Sequence, residues 1–285
     1  MSDPNQLSRQ VRELKARVAA MESSRWWRLH PRFALQRLRA KDDAQPEPAQ
    51  HAFPLEFDEA DKELYRRVGP YTMTTPPRVY ALVRAVEYVA ARGVPGAIVE
   101  CGVWRGGSMM AAALTLLRLG VDDRELYLYD TFAGMPPPTE ADTTCSGERA
   151  ADLLTQGDES SHIWAIASLD DVREAVLSVG YSEERIHFVE GLVEETLPAT
   201  APQEIALLRL DTDWYRSTKH ELEHLYPRLA SGGVLILDDY GHWQGARRAV
   251  DEYLAATGLP MLLNRIDYTG RIAVMPGLAT DRVGS

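Results

Sequence analysis

The fold is decided by one short stretch, Ile98-Val99-Glu100-Cys101-Gly102-Val103-Trp104-Arg105-Gly106-Gly107-Ser108. An apolar segment ends in an acid, three glycines follow within six residues, and an apolar run then extends from Met109 to Leu119. This pattern predicts a buried strand, a tight turn and the first turns of a helix. Glycines let a ligand approach the backbone, and the free N–H groups of a helix N-terminus favour a negative group. The turn is therefore a candidate ligand site, although a glycine turn that only packs a helix on a strand would have the same pattern.

The composition fits one large α/β domain with appendages, or two small domains. The chain has 285 residues, 45% of them apolar, so it can bury a sizeable core. No apolar run approaches the roughly 18 residues of a transmembrane helix, and the polar N-terminus has no secretory segment, so we expect a cytoplasmic protein. The two cysteines, Cys101 and Cys145, give neither a disulfide framework nor zinc-ligand spacing.

The charge is distributed unevenly along the chain. The net charge is −11, yet residues 1–42 carry ten Lys/Arg and four Asp/Glu, so the rest of the chain is strongly acidic. The acidic character of the chain after residue 42 argues against nucleic-acid binding, because phosphate contacts need a basic surface.

The sequence of residues 1–40 predicts a basic helical or coiled-coil arm. Apolar residues recur at heptad spacing at Leu7, Val11, Leu14, Val18 and Met21. Two heptads are marginal for an isolated helix, so we expect the arm to need a partner and the protein to be a homo-oligomer. Arginines and tryptophans in residues 24–33 suit a membrane surface or an acidic partner, or docking of the arm on its own domain. Residues 41–54 predict a linker, and residues 55–285 form the main domain.

Strands alternate with helices along the main domain. Beyond the strand that enters the glycine turn, strands are predicted at residues 125–130, 185–189, 204–211 and 234–238. The alternation favours an α/β fold with a doubly wound, mostly parallel sheet. A C-terminal antiparallel hairpin over 261–267 and 271–275 extends it to seven strands.

Two connections between these strands also lead to predictions. Leu222, Leu225 and Leu229 predict a helix that stops at Gly232-Gly233. Residues 131–164 form a polar connection that contains Pro and Gly, and its length predicts a lid over a binding site.

Carboxylates follow several strand ends. In a doubly wound sheet, ligands bind beyond the C-terminal ends of the strands. That rule brings to one edge Glu100, Asp130, Asp211, Asp238 and Asp239. Their mutual repulsion would be costly unless a cation or ligand donors offset it. Asp130 is placed to accept hydrogen bonds from both hydroxyls of a ribose, although an Asp also commonly caps the segment that follows it.

The acids after the fourth and fifth strands suggest a metal site. Asp211, Asp238 and Asp239 offer only oxygen ligands, which suit Mg²⁺, or Mn²⁺ and Ca²⁺, rather than zinc. The alternative is that one or more of them caps a helix or turn. Asp213 lies two residues after Asp211 and could replace it or help it. His242 is a candidate general base, although a lone His after a strand is more often a surface or core residue.

Six blocks in this sequence resemble the macrocin O-methyltransferase family, over about residues 65–276. The blocks are Tyr71-Thr-Met-Thr74, Val99-Glu-Cys-Gly-Val-Trp-Arg-Gly-Gly-Ser-Met-Met110, Asp130-Thr-Phe-Ala-Gly-Met-Pro136, Gly191-Leu-Val-Glu-Glu-Thr-Leu-Pro198, Leu210-Asp-Thr-Asp-Trp-Tyr215 and Leu237-Asp-Asp-Tyr240. Enzymes of this family methylate sugar hydroxyls, for instance on macrolide and aminocoumarin antibiotics. The resemblance implies a class I (Rossmann-like) methyltransferase fold, S-adenosylmethionine as the methyl donor, and a divalent metal, usually Mg²⁺.

The resemblance also implies the residues that contact the donor. They are Met73, Thr74, Glu100, Gly102, Ser108, Asp130 and Ser168. The glycine turn would hold the methionine half of the donor, Asp130 its ribose, and Ser168 would border the adenine. Met73 and Thr74 look like the segment that closes on the donor from outside the sheet.

The same resemblance implies that Asp211, Asp238 and Asp239 bind the metal, and it makes Asp211 a candidate for the base as well. Two adjacent sugar hydroxyls on Mg²⁺ would be oriented by it, and the pKa of the reacting hydroxyl would fall. Two other functions stay open at this point. One is a metal-dependent O-methyltransferase of a catechol or other vicinal diol. The other is a non-catalytic protein that binds the donor or a glycan and acts as an assembly module.

Overall fold

The centre of the fold is a seven-stranded sheet. The computed structural model describes residues 53–157, 162–258 and 261–276. The strands are β1 (Ala97–Cys101), β2 (Leu126–Asp130), β3 (Ile186–Glu190), β4 (Ile205–Leu210), β5 (Leu229–Leu237), β6 (Asn264–Arg265) and β7 (Arg271–Val274). Their order is β3-β2-β1-β4-β5-β7-β6. β1 to β5 are parallel, while β7 pairs antiparallel with β5 and β6. The predicted mostly parallel sheet with a C-terminal antiparallel hairpin is confirmed.

Helices cover both faces of this sheet. They are α1 (Glu59–Val68), α2 (Pro76–Ala91), α3 (Gly107–Arg118), α4 (Ala150–Gln156), α5 (Leu169–Leu177), α6 (Val193–Thr196), α7 (Tyr215–His224) and α8 (Gln244–Thr257). One apolar core lies between the sheet and α1, α2, α3 and α5. The second core lies between the opposite face and α6, α7 and α8.

Alternation along the buried strands explains the two cores. In β1, Ile98 packs into the first core and Val99 into the second. In β4, Leu207 packs into the first core and Leu208 into the second. Successive side chains of a strand point to opposite faces, so a strand with apolar residues on both faces needs helices on both sides.

The strand register places the predicted site residues at one edge. Cys101 pairs with Tyr129 of β2 and with Leu210 of β4, and Leu210 pairs with Leu237 of β5. The chain therefore leaves β1, β4 and β5 at the same level. The residues that follow these three ends are Gly102, Asp211 and Asp238.

Two boundaries differ from the sequence-based prediction. The helix predicted to reach Leu229 and stop at Gly232-Gly233 ends at His224, and β5 already begins at Leu229. Pro227 lies in the intervening 3₁₀ turn (Tyr226–Arg228), where it lacks the N–H that an α-helix would need. The predicted strand over 261–267 is limited to the two residues of β6.

Several predictions fall outside the described residues. These are the helical arm over residues 1–40 and nearly all of the linker over 41–54. Among the residues that the structure does describe, no helix is long and apolar enough to cross a membrane.

Candidate active site

The glycine turn joins β1 to α3 at the C-terminal edge of the sheet. Gly102 has a φ of 83°, and a Cβ at this position would lie 2.0 Å from the backbone carbonyl oxygen of Asp211. Only glycine lets the end of β1 approach the end of β4 this closely. The turn therefore brings the start of α3, where Ser108 is buried, next to the loop that follows β4.

A cavity of about 430 Å³ opens between this turn and the acidic loops. Most of the predicted site residues line it, namely Met73, Thr74, Gly102, Ser108, Asp130, Asp211, Asp238, Asp239 and His242. The sheet edge thus gathers the predicted donor-binding turn and the predicted metal cluster around one space. Glu100 and Ser168 are not among the lining residues.

Asp130 organises the glycine turn from the end of β2. Its Oδ2 accepts hydrogen bonds from the backbone N–H groups of Val103 (2.6 Å) and Trp104 (2.9 Å). Its Oδ1 accepts one from the N–H of Phe132 at 2.8 Å. Burial raises the pKa of Asp130, while these backbone hydrogen bonds oppose the rise. Asp130 therefore caps the segment that follows it, and the same carboxylate also lines the cavity.

Glu100 is enclosed inside the sheet. Only 1% of its surface is exposed, and its Oε1 pairs with the guanidinium of Arg209. Its Oε2 has no hydrogen-bond partner in the described part of the chain. Burial raises the pKa of Glu100 to about 7, and the charge of Arg209 opposes that rise. Its position suits charge compensation for Arg209 better than contact with a donor.

Ser168 starts helix α5. Its side-chain oxygen accepts a hydrogen bond from the backbone N–H of Asp171, which is the usual role of an N-cap serine. The side chain is exposed and lies outside the lining of the cavity.

The three predicted metal ligands meet at the ends of β4 and β5. Carboxylate oxygens of Asp211, Asp238 and Asp239 all lie within 4.8 Å of one another. Arg209 donates to Asp211 and to Asp238, both at 2.7 Å. Arg78, on helix α2, donates to the second oxygen of Asp238. The acid cluster is thus held in place by two guanidinium groups that sequence reasoning did not assign.

Asp213 lies beside this triad and is not part of it. Its backbone has a φ of 64°, and its N–H donates to Asp239 Oδ2 at 3.2 Å. Burial, together with the negative charge of Asp211, raises the pKa of Asp213 to about 7. Burial and the charge of Asp213 likewise raise the pKa of Asp239. The geometry therefore groups Asp211, rather than Asp213, with the acids at the end of β5.

His242 faces the cavity from the loop after β5. Its Nδ1 lies 3.1 Å from the hydroxyl of Tyr268, which belongs to the hairpin loop. Burial lowers the pKa of His242, and the charge of Arg78 lowers it further. The adjacent Trp243 is buried and packs edge-on against Trp214, with ring centroids 4.9 Å apart.

Backbone strain is concentrated around the cavity. Among the described residues, the non-glycine positions with positive φ are Trp104, Phe132, Ala165 and Asp213. All except Phe132 line the cavity. Such conformations cost on the order of 1–3 kcal/mol each and persist where the surrounding structure fixes them, often at functional sites.

The connection predicted as a lid forms one wall of the cavity. This wall segment, residues 131–157 and 162–165, contributes Met135, Pro136 and Ile163 to the lining. It contains helix α4 and is attached to the domain by hydrogen bonds, such as that from Trp214 Nε1 to the carbonyl of Pro136 at 2.9 Å. The segment therefore borders the cavity and is hydrogen-bonded to the loop before α7.

Sequence reasoning missed three residues of the site. Arg209 could have been found, because a charged residue in an otherwise apolar buried strand is expected to have a partner. Arg78 lies on helix α2, and nothing in the pattern of apolar residues along that helix marks it. Tyr268 depends on where the hairpin loop lies, which the sequence does not reveal.

Comparisons with known proteins identify the family of this chain. A model of the macrocin-O-methyltransferase (TylF) family matches residues 19–273, so the match includes part of the predicted arm. The 8-demethyl-8-(2,3-dimethoxy-alpha-L-rhamnosyl)-tetracenomycin-C 4'-O-methyltransferase of Streptomyces olivaceus is 36% identical over 215 residues, which are 74% of this chain and 79% of that protein. The mycinamicin III 3''-O-methyltransferase of Micromonospora griseorubida is 34% identical over 200 residues, covering 70% of this chain and 76% of the relative.

Solved structures show the same fold. The O-methyltransferase NovP superimposes with a TM-score of 0.64 at 31% identity, covering 72% of this chain and 82% of NovP. The calicheamicin methyltransferase CalS11 gives a TM-score of 0.52 at 19% identity, which supports the fold alone. The family match spans most of the chain, and the relatives are named for the transfer of a methyl group to oxygen. The chain belongs to the macrocin-O-methyltransferase family and is an O-methyltransferase with the class I methyltransferase fold.

Proposed function

We propose that this enzyme transfers the methyl group of S-adenosylmethionine to a hydroxyl of a sugar, in a reaction that requires Mg²⁺. The observation that carries the proposal is the arrangement of the cavity, which has a glycine turn on one side and three clustered carboxylates on the other. The name of the Streptomyces olivaceus relative supports a sugar acceptor, because it describes methylation of a compound that carries a rhamnosyl group.

The donor is expected to occupy the part of the cavity near the glycine turn. Gly102 and Ser108 border this region, and Met73 and Thr74 close it from the segment before α2. Asp130 lines the same region while it fixes the turn through its backbone hydrogen bonds. We do not place Glu100 among the donor contacts, because it is buried against Arg209.

The chemistry of the acid cluster supports a divalent cation. The ligand set of Asp211, Asp238 and Asp239 is all oxygen, which is the set that Mg²⁺ prefers. Burial and the charge of Asp211 raise the pKa of Asp213, and burial and the charges of Asp213 and Asp211 raise the pKa of Asp239. A bound cation would relieve this repulsion, and as a Lewis acid it would lower the pKa of an acceptor hydroxyl.

Residues of the chain itself would orient the metal ligands and accept the proton. Arg209 fixes the orientation of Asp211 and Asp238 through its two 2.7 Å contacts. We propose Asp213 as the proton acceptor, in place of Asp211. One oxygen of Asp211 already bonds to Arg209, and the other would ligate the metal. Asp213 forms no ion pair within the described residues and lines the cavity beside the triad.

Alignment supplies much of the rate enhancement in a methyl transfer. The reacting hydroxyl must lie in line with the methyl–sulfur bond, and holding two reactants in that geometry lowers the barrier substantially. The wall segment and Trp243 border the cavity and would exclude water from it. His242 would contact the acceptor, and we assign it a binding role in preference to that of a base.

The experiment is a methyl-transfer assay with labelled S-adenosylmethionine and purified full-length protein. Acceptors are methyl α-L-rhamnopyranoside, aryl rhamnosides, the glycosylated substrates of the relatives, and catechol. Each is tested with Mg²⁺ and with a chelator. We expect Mg²⁺-dependent labelling of a glycoside and none of catechol. Labelling of catechol alone would assign the enzyme to vicinal diols, and donor binding without transfer to any acceptor would favour a non-catalytic role.

The predicted homo-oligomer and the arm's contact with a partner or a membrane surface remain proposals. They rest on the basic charge and heptad spacing of residues 1–40. Sedimentation of the full-length protein tests the first, and binding to anionic vesicles tests the second.

A further inference from the structure

Asp142 is a buried carboxylate in the wall segment. None of its surface is exposed. Its Oδ2 accepts hydrogen bonds from the backbone N–H of Thr139 at 2.7 Å and from the Thr139 hydroxyl at 2.8 Å. Its Oδ1 accepts one from the backbone N–H of Tyr215 at 2.7 Å. Tyr215 is the first residue of α7, so the carboxylate also lies at the positive end of that helix.

The same carboxylate lies against the start of α8. Gly245 is in the first turn of that helix, and a Cβ at this position would lie 2.1 Å from Asp142 Oδ1. Gln244 secures the neighbouring part of the wall segment. Its backbone N–H donates to the carbonyl of Thr143 at 2.8 Å, and its Nε2 donates to the carbonyl of Thr144 at 2.9 Å.

Both helices follow directly on the loops that carry the clustered acids. The loop before α7 contains Asp211 and Asp213, and the loop before α8 contains Asp239. Asp142 therefore bonds to the start of α7 and packs against the start of α8, next to both acidic loops. An apolar cluster that includes Trp214 and Trp243 packs around this junction.

We infer that Asp142 is a positioning residue, which holds the acceptor-facing wall in register with the loops that carry the proposed metal ligands. This inference rests on the proposed function, because that function makes the wall the acceptor's side of the cavity. The donor region is held by a different carboxylate, Asp130, through its hydrogen bonds to the glycine turn. Loss of Asp142 should loosen the wall and the acidic loops while leaving the donor region in place.

The variant Asp142→Asn keeps the shape and removes the charge. Both carboxylate oxygens accept from backbone N–H groups, so either orientation of the amide points its NH₂ at a donor. The matched control is Asp152→Asn, in the same segment, whose carboxylate is exposed and pairs with Arg149. Gly245→Ala is a second test variant, since it keeps Asp142 and crowds the same carboxylate.

The readouts are hydrogen exchange by mass spectrometry, Mn²⁺ affinity by electron paramagnetic resonance, and S-adenosylhomocysteine affinity by calorimetry. In Asp142→Asn we expect exchange in residues 139–157 and 211–218 to rise about tenfold, as loss of a charged hydrogen bond predicts. Mn²⁺ affinity should fall roughly fivefold, a smaller loss than removal of a direct partner of a metal ligand causes. S-adenosylhomocysteine affinity and exchange over residues 97–130 should stay within twofold of the wild type. Where turnover is measurable, the KM for the acceptor should rise more than the KM for the donor.

Wild-type exchange in both segments of Asp142→Asn would overturn the inference. A uniform rise that includes residues 97–130, together with a parallel loss of S-adenosylhomocysteine affinity, would also overturn it, because the role would then be general stability. If Asp142→Asn does not fold, Gly245→Ala is judged by the same two criteria. Exchange needs neither metal nor turnover, so a wild-type protein that binds no Mn²⁺ or methylates no sugar rejects the proposed function and leaves the test of Asp142 intact.

Discussion

Glu221 gives a quantitative test of the electrostatics behind the site. It lies on α7 and is fully buried. Its Oε2 accepts a hydrogen bond from the Thr212 hydroxyl at 3.2 Å, in the loop between Asp211 and Asp213. Its Oε1 has no partner among the described residues. Burial raises the pKa of Glu221 from 4.5 to about 8, the bond from Thr212 opposes the rise, and the charges of Glu194 and Asp211 add to it.

The sign of the pH effect follows from this shift. The unfolded chain loses the proton of Glu221 near pH 4.5, whereas the folded protein keeps it until about pH 8. Unfolding therefore releases a proton between these values, so the stability contribution is fully present below pH 4.5 and is lost as the pH rises toward 8. The difference between the two pKa values corresponds to about 5 kcal/mol at 1.36 kcal/mol per unit, which is an upper figure for a buried group.

The substitution Glu221→Gln mimics the protonated acid and removes the titration. We expect the variant and the wild type to have similar free energies of unfolding at pH 5, and the variant to be more stable by roughly 2–5 kcal/mol at pH 8. Urea denaturation at pH 5, 6.5 and 8 measures the difference. The control Glu223→Gln lies on the same helix but is exposed, and it should show no pH-dependent difference. A constant offset between Glu221→Gln and the wild type at all three pH values would refute the reasoning.

Four further predictions concern the site and the arm. Chelation should abolish turnover, and Mg²⁺ should restore it. The variant Asp238→Asn should weaken Mg²⁺ binding at least tenfold in calorimetry, while donor binding survives. Asp130→Ala should lower S-adenosylmethionine affinity about tenfold or more without unfolding the domain, and unchanged calorimetry would reject the donor assignment. Asp213→Asn should reduce kcat strongly and leave Mn²⁺ affinity nearly unchanged, whereas Asp211→Asn should reduce both; the reverse pattern would exchange their roles. Deletion of residues 1–50 should leave a folded domain that binds donor, and a truncated protein that does not fold would show that the linker is misplaced.

The fold could be predicted because each element carries a local signal. The apolar pattern of Ile98 to Cys101 requires helices on both sides of the strand, and the glycines after it require a tight turn. Boundaries depend on less local effects. Leu229 fits the helical spacing of Leu222 and Leu225, yet it pairs with Ile205 in the sheet, because a proline ends the helical path before it.

Only those site residues whose positions follow from the strand ends could be predicted from the sequence. The parallel register places Asp211 and Asp238 side by side, so their meeting follows from topology alone. Glu100 fits the same rule and still does not face the cavity. Side chains alternate along a strand, and its position opposite Arg209 directs its carboxylate to that guanidinium. Its role depends on a cross-strand partner, and a single sequence does not identify such partners.

Arg209 also explains how so many acids can share one edge of a folded domain. A buried charge is tolerated when it is paired and its hydrogen bonds are satisfied. Arg209 meets three carboxylates at once, from Glu100 on β1, Asp211 after β4 and Asp238 after β5. It therefore ties the three central strands together at the level where the site begins. Arg78 and Arg209 donate to the two oxygens of Asp238, whereas Asp213 and Asp239 contact each other and form no ion pair with an arginine among the described residues. Asp213 and Asp239 both line the cavity, so a cation in the cavity would have access to them.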